Sequence, residues 1–141
     1  FPTRRSSDLL DLDCSAKAAH VNAERDAFAT VDQLEAVALL GAQKDGELDT
    51  SLSPVNGNLA TLPPTLLFAA ESEVLRCDSE LMASRLHAAG VPCHLQIWDG
   101  QVHAFPAVIP AMPESRVVLR AVARFVLTHT SPNDGSRRKT A

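Results

Sequence analysis

The stretch Thr65-Leu-Leu-Phe-Ala-Ala70, which follows two prolines, decides the fold because it is a short, unbroken apolar run. Such runs are typical of strands that are covered on both faces in a parallel sheet. A second strand is predicted at residues 93–98, where Leu95 and Ile97 alternate with polar neighbours. Together the two segments predict a parallel sheet in an α/β protein.

A helix is predicted after each strand. Asp78 or Ser79 can cap the first helix, which ends at Gly90, and the second covers about residues 114–129. The order strand, helix, strand, helix over residues 65–129 is a βαβα unit, whose crossover should be right-handed.

The residues before the sheet are less regular. Residues 10–30 have no sustained hydrophobic period, and one short helical turn is expected near residues 16–19. Thr30 and Gln33 have the spacing of a capping box, so a helix is predicted over residues 31–41. Residues 43–62 are rich in Gly, Pro, Asn and Ser and predict a long connection on the surface.

The two ends of the chain differ in character from its middle. Residues 1–9 resemble the translation of a sequencing adapter, which would mean that the natural upstream sequence is missing. A flexible basic leader is the alternative. Residues 130–141 are polar and end in a basic cluster, so this tail is predicted to be disordered.

Composition excludes several classes of protein. A chain of 141 residues that is 45% hydrophobic and 21% charged suits one modest globular unit. The net charge of -4 argues against nucleic acid as a partner. No apolar run approaches the roughly 18 residues that a membrane span needs, so membrane insertion is not expected. The three cysteines lack the spacing of a zinc site or a disulfide framework, which predicts free thiols, a cytoplasmic protein and no metal site.

Glu73 and His103 are the candidate catalytic residues, because each follows the carboxyl end of a predicted strand. Functional groups collect at that edge of an open α/β sheet, where neighbouring strands lie about 4.8 Å apart. A carboxylate that holds an imidazole is two thirds of the triad that activates a serine hydroxyl. Glu71 is the less favoured acid. From the residues alone, a surface histidine is an equal alternative.

The nucleophile of such a triad is missing from this sequence. An α/β-hydrolase carries its serine in a Gly-x-Ser-x-Gly elbow upstream of the acid and the histidine. No serine of this chain is framed in that way.

Longer motifs extend the pattern. They are Ser53-Pro54, residues 59–64, Glu73-Val74-Leu75, Asp78-Ser79, residues 86–91, Trp98-Asp99-Gly100 and His103-Ala104-Phe105, with a weaker match at residues 26–30. With these motifs, nearly all of residues 10–129 resembles the C-terminal part of the hormone-sensitive-lipase-like family of bacterial α/β-hydrolase esterases.

The resemblance implies an α/β-hydrolase fold, of which this chain would supply the last two parallel strands and their helices. Residues 10–62 would be a cap-proximal helix and connection, and residues 63–129 the C-terminal part of the core. The resemblance also implies that small carboxylic esters are the substrates, with no cofactor. His103 would be the catalytic base and Glu73 the acid, although the family more often has Asp followed by Pro at the acid position.

We therefore expect this chain alone to be inactive, because the nucleophile and the oxyanion donors would lie upstream. The competing prediction is an inert α/β domain that binds a ligand or a partner, in which Glu73 and His103 make only a structural hydrogen bond. A third is an enzyme of the same fold that acts on amides or other acyl donors. The sequence makes no prediction of an oligomeric state.

Overall fold

In the computed structural model, which describes residues 9–130, two helices and a short hairpin precede a strand–helix–strand unit, and two further helices follow it. The strands are β1 (Gln43–Lys44), β2 (Glu47–Leu48), β3 (Thr65–Ala70) and β4 (Cys93–Trp98). The helices are α1 (Ser15–Ala19), α2 (Val31–Gly41), α3 (Arg76–Ala88), α4 (Phe105–Val108) and α5 (Pro113–Thr130). The chain divides after Phe105 into two units, of which the first holds all four strands and α1 to α3. Apart from Leu9 and Thr130, the predictions for the adapter-like start and the polar tail fall on residues outside the described range, and Thr130 is the last residue of α5 rather than part of a disordered tail.

Strands β3 and β4 pair in parallel, with Thr65 opposite Cys93 and Ala70 opposite Trp98. Both predicted strands and their parallel pairing are confirmed. Helix α3 connects the strands and packs against both of them. The core cluster joins Met82 and Leu86 of this helix to Leu10, Val55, Leu59 and Val91, and Leu67 of β3 and Cys93 of β4 pack against it. Full burial of a side chain the size of Leu86 contributes about 1.5–3 kcal/mol, so these contacts hold α3 in place.

The two ends of α3 differ in how well the sequence predicted them. The predicted stop is confirmed, because Gly90 has φ +74, the left-handed conformation that commonly ends a helix. The predicted cap is wrong. The helix begins at Arg76, and its N-cap residue Leu75 makes no side-chain capping bond. Asp78 lies buried in the first turn, where it accepts hydrogen bonds from Leu10 N and Asp11 N instead.

The connection between α2 and β3 is more ordered than predicted. Strands β1 and β2 form a hairpin whose two-residue turn, Asp45 and Gly46, has positive φ at both positions. That is the backbone of a type I′ turn, for which Asp-Gly is a preferred sequence. Three 3-10 turns follow at Thr50–Leu52, Pro54–Asn56 and Leu59–Thr61. The prediction of a surface loop over residues 43–62 is therefore wrong in part, because Val55 and Leu59 of this segment are buried in the core.

Helices α1 and α2 lie where the sequence predicted them. The capping box of α2 is present: Gln33 N donates to Thr30 Oγ1 at 3.3 Å, and Thr30 N donates to Gln33 Oε1 at 3.0 Å. The segment around α1 is irregular but firmly anchored. Its residues Lys17 and Asn22 are 0% and 1% exposed, which is unusual for polar side chains unless they are fully bonded.

The second unit contains helix α5, which extends one residue beyond the predicted range at each end. Ser115 Oγ donates a hydrogen bond to Ile109 O at 2.7 Å and secures the first turn of the helix. The rings of Phe125 and His129 lie one turn apart near its end and contact each other at a tilt of 37°, with their centroids 4.3 Å apart. Among the described residues, none of the helices combines the length and the apolar character needed to cross a bilayer.

Candidate active site

The acid loop, residues 71–75, continues from the carboxyl end of β3. Glu71 N donates a hydrogen bond to Trp98 O at 2.8 Å, which extends the pairing with β4 by one residue. The chain then turns, and the side chains of Glu71 and Glu73 take different directions. Glu71 is exposed, whereas Glu73 is only 5% exposed, so Glu73 is the acid that faces the protein interior.

The histidine loop, residues 99–104, continues from the carboxyl end of β4. Gly100 has φ +65, so the chain can turn sharply there at little steric cost. Ala104 has φ +53, which is uncommon for a residue with a Cβ atom and directly follows His103. Phe105 then anchors the loop: it is buried, and its ring lies 5.8 Å from that of Trp98 between centroids.

The two loops bring Glu73 and His103 into contact. His103 Nδ1 lies 2.9 Å from Glu73 Oε2, and the side chains are 16% and 6% exposed. A carboxylate can only accept, so Nδ1 carries the proton and the basic lone pair of the neutral imidazole is on Nε2. The carboxylate also stabilises the imidazolium that forms when Nε2 takes up a proton. A carboxylate and an imidazole in this contact are able to act as the acid and the base of a catalytic triad.

A third segment borders this pair and was given no role in the sequence interpretation. The ring of Phe28 lies 5.7 Å from the imidazole of His103 between centroids. Asn22 and Asp26 make hydrogen bonds to the backbone of the acid loop. The only sequence signal was the weak family match at residues 26–30, because the segment has no hydrophobic period that predicts burial.

The remaining candidate groups carry no comparable chemistry. Burial, followed by the charge of Asp78, raises the pKa of Cys77 to about 11, and burial also raises the pKa of Cys14 and Cys93. At neutral pH these cysteines are free thiols rather than thiolate nucleophiles. Within residues 9–130, no three His, Cys, Asp or Glu side chains are grouped closely enough to hold a metal ion.

A surface cleft lies away from the Glu73–His103 pair. It is lined by Leu12, Asp13, Cys14, Ser15, Glu35, Leu39 and Leu48 and has a volume of about 230 Å³. Neither member of the pair lines it, so the cleft gives no further support to the site.

Known protein families account for this fold. Residues 6–107 match a family that is described by the alpha/beta hydrolase fold. The chain belongs to the α/β-hydrolase fold family. Esterase LipU of Mycobacterium tuberculosis is 37% identical over 126 residues. LipF of the same organism, a carboxylesterase/phospholipase, is 35% identical over 131 residues.

Solved structures narrow the similarity to one branch of that family. An esterase from the bacterial hormone-sensitive lipase family superposes with a TM-score of 0.75 at 25% identity. An esterase/lipase from an uncultured bacterium superposes with a TM-score of 0.70 at 30% identity. Each comparison covers 85% of this chain and 40% of the other. The hormone-sensitive-lipase-like family and the α/β fold predicted from the sequence are therefore confirmed.

The match covers most of this chain but less than half of each relative. The chain spans 42% of LipU and 35% of LipF, while 85% and 89% of the chain itself is matched. The relatives are thus more than twice as long as the part to which this chain corresponds.

Proposed function

We propose that this chain supplies the acid and the base of a serine carboxylic-ester hydrolase, with Glu73 as the catalytic acid and His103 as the catalytic base. The observation that carries the proposal is the 2.9 Å contact between His103 Nδ1 and Glu73 Oε2. The contact joins two loops that leave the carboxyl ends of paired parallel strands, which is where α/β proteins place their sites.

In the proposed reaction, His103 Nε2 accepts the proton of a serine hydroxyl as the serine oxygen attacks the carbonyl carbon of the ester. The resulting imidazolium is stabilised by Glu73 through Nδ1–H. As the tetrahedral intermediate collapses, Nε2 gives its proton to the departing alcohol and an acyl-enzyme remains. Water then repeats the cycle, with His103 accepting a proton from water and returning one to the serine.

The serine and the oxyanion donors belong, in this proposal, to a preceding part of a longer protein. Two observations support it: the chain has no Gly-x-Ser-x-Gly elbow, and it corresponds to less than half of each related esterase. The 141-residue chain by itself should therefore hydrolyse no ester. The free cysteines support a cytoplasmic protein, since disulfides are rare there.

Reading the uninterrupted gene tests the proposal first. A Gly-x-Ser-x-Gly elbow upstream, preceded by a His-Gly-Gly-type loop, is the expected result. A full-length gene with no nucleophile would instead identify an inert α/β domain that binds a ligand or a partner.

Expression of the full-length protein tests the residue roles. His103→Ala should abolish the hydrolysis of short-chain p-nitrophenyl esters. His87→Ala is the matched control, because His87 is an exposed residue of α3, and it should keep full activity. A His103→Ala variant with undiminished activity would refute the assignment. Parallel assays with amide substrates separate an esterase from an amidase of the same fold.

A further inference from the structure

The segment from Asn22 to Phe28 contacts both the acid loop and the ring of His103. Asn22 is 1% exposed, and its Nδ2 group donates two hydrogen bonds into the acid loop. One goes to Glu71 O at 2.7 Å and the other to Glu73 O at 3.0 Å. One amide group thus bonds the carbonyls of the two residues on either side of Ser72.

Asp26 holds the next peptide group of the same loop. Its Oδ2 accepts a hydrogen bond from Val74 N at 2.8 Å. Its Oδ1 accepts from Phe28 N at 2.8 Å and from Ala29 N at 3.3 Å, which fixes the carboxylate in a turn of its own segment. The two carboxylate oxygens of Asp26 therefore link the acid loop to the segment that contains Phe28.

At Glu73 itself, the hydrogen bonds from these side chains are shorter than the backbone bonds. The backbone bonds of Glu73 measure 3.4 Å from Glu73 N to Ala70 O and 3.3 Å from Arg76 N to Glu73 O. A loop outside a helix or strand has few backbone partners, so its conformation depends on such side-chain contacts. Asn22 and Asp26 hold the peptide that follows Glu73 on both of its polar groups, the carbonyl and the N–H.

The same segment also reaches the other member of the pair. Phe28 is two residues beyond Asp26, and its ring lies against the imidazole of His103. One stretch of seven residues is therefore bonded to the backbone of the acid and packed on the ring of the base.

We propose that Asn22 and Asp26 are positioning residues, which hold the acid loop so that the Glu73 carboxylate meets His103 Nδ1. The catalytic meaning of this inference rests on the function proposed above. The geometric part, that the Glu73–His103 hydrogen bond depends on Asn22 and Asp26, does not.

Proton NMR of the 141-residue chain tests the geometric part. An imidazole N–H that is hydrogen-bonded to a carboxylate gives a strongly downfield resonance, which His103→Gln would assign by its disappearance. Asn22→Ala should broaden or abolish this resonance. Asp26→Asn should do the same, because an amide that keeps its oxygen on Phe28 N turns its own N–H groups toward Val74 N.

Ser53→Ala is the matched control. Ser53 is 1% exposed, and its hydroxyl bonds Leu12 N and Asp11 Oδ1, away from the acid loop. This variant should lower stability and leave the resonance in place. A resonance that is unchanged in folded Asn22→Ala or Asp26→Asn overturns the inference, as does one that is lost equally in Ser53→Ala.

Kinetics of the full-length enzyme test the catalytic part. Misplacement of a catalytic group by about 1 Å can cost on the order of 100-fold in rate, so Asn22→Ala and Asp26→Asn should lower kcat by about 10- to 100-fold with little change in KM. If His103→Ala abolishes activity while both variants keep the wild-type kcat, the positioning role alone fails. If His103→Ala stays active, the proposed function fails, and the NMR result still decides whether the pair depends on Asn22 and Asp26.

Discussion

Lys17 and Asp78 form an ion pair that is closed to solvent, with Lys17 Nζ 2.8 Å from Asp78 Oδ1 and side chains 0% and 2% exposed. Lys17 Nζ also donates to the carbonyls of Asp11 and Asp13. Asp78 Oδ2 accepts from the backbone of Leu10 and Asp11. The pair thus ties the segment around α1 to the first turn of α3, with most of its hydrogen-bonding capacity used inside the protein.

Removal of one partner from this pair should be costly. Lys17→Met leaves the Asp78 carboxylate buried without its counter-charge, for which the expected loss is about 3–5 kcal/mol in the free energy of unfolding. Urea unfolding measures it. Lys44→Met, at an exposed lysine of β1, is the control and should change stability by less than about 0.5 kcal/mol. A loss below about 1 kcal/mol for Lys17→Met would mean that water or another cation reaches Asp78.

Glu73→Gln tests whether the proposed triad needs the negative charge of Glu73 or only the shape of its side chain. The amide is isosteric but cannot stabilise an imidazolium, and its N–H group can hold the imidazole in the wrong tautomer. In serine proteases the equivalent change costs about 10⁴-fold in kcat, and we expect a loss of at least about 10³-fold in the full-length enzyme. Glu71→Gln, at the exposed acid two residues earlier, should keep the wild-type rate. Equal activity of the two variants would contradict the choice of Glu73 as the acid.

Ala104 carries a backbone strain that glycine should relieve. Left-handed φ costs a residue with a Cβ atom about 1–2 kcal/mol, whereas glycine avoids this cost but loses about 0.5–1 kcal/mol in entropy on folding. Ala104→Gly should therefore raise the free energy of unfolding by up to about 1.5 kcal/mol. Ala104→Val, which adds a β-branch at the same φ, should lower it. Thermal unfolding of the two variants gives the sign of each change, and a destabilised Ala104→Gly would contradict the strain.

Cys77 should make stability fall at alkaline pH. Burial raises the pKa of its thiol in the folded protein to about 11, above the value of 9.0 for an unperturbed thiol. The unfolded chain therefore loses this proton first, so the stabilisation is complete below about pH 9 and disappears as the pH rises toward 11. Urea unfolding between pH 7 and 11 should show a steeper decline for the wild type than for Cys77→Ala. Parallel curves for the two proteins would place the thiol in contact with water.

The features that the sequence predicted well are those with a local signal. The apolar run of β3, the capping box of α2 and the stop at Gly90 each lie within a few residues. Glu73 and His103 could be paired because the parallel sheet puts both loops at one edge. The hairpin turn at Asp45 and Gly46 also had a local signal, but it was interpreted as part of a loop.

The features that the sequence did not predict depend on distant contacts. Lys17 meets an acid that is 61 residues away in the sequence, and a lysine in a short helix is ordinarily exposed. Asp78 had the residue type and position of a helix cap, but tertiary burial gave it another partner. Asn22 bonds loop carbonyls 49 and 51 residues away, a contact that no periodicity in residues 10–30 could indicate.

The pairing of Ala70 with Trp98 makes the site depend on residue counts as well as on residue types. Glu73 lies three residues after Ala70, and His103 lies five residues after Trp98. Both distances along the chain therefore start from the same pair of residues in the sheet. Substitutions within either loop leave the counts intact. An insertion or deletion in one loop alone would not, because it changes the number of residues between the paired strand ends and the catalytic side chain.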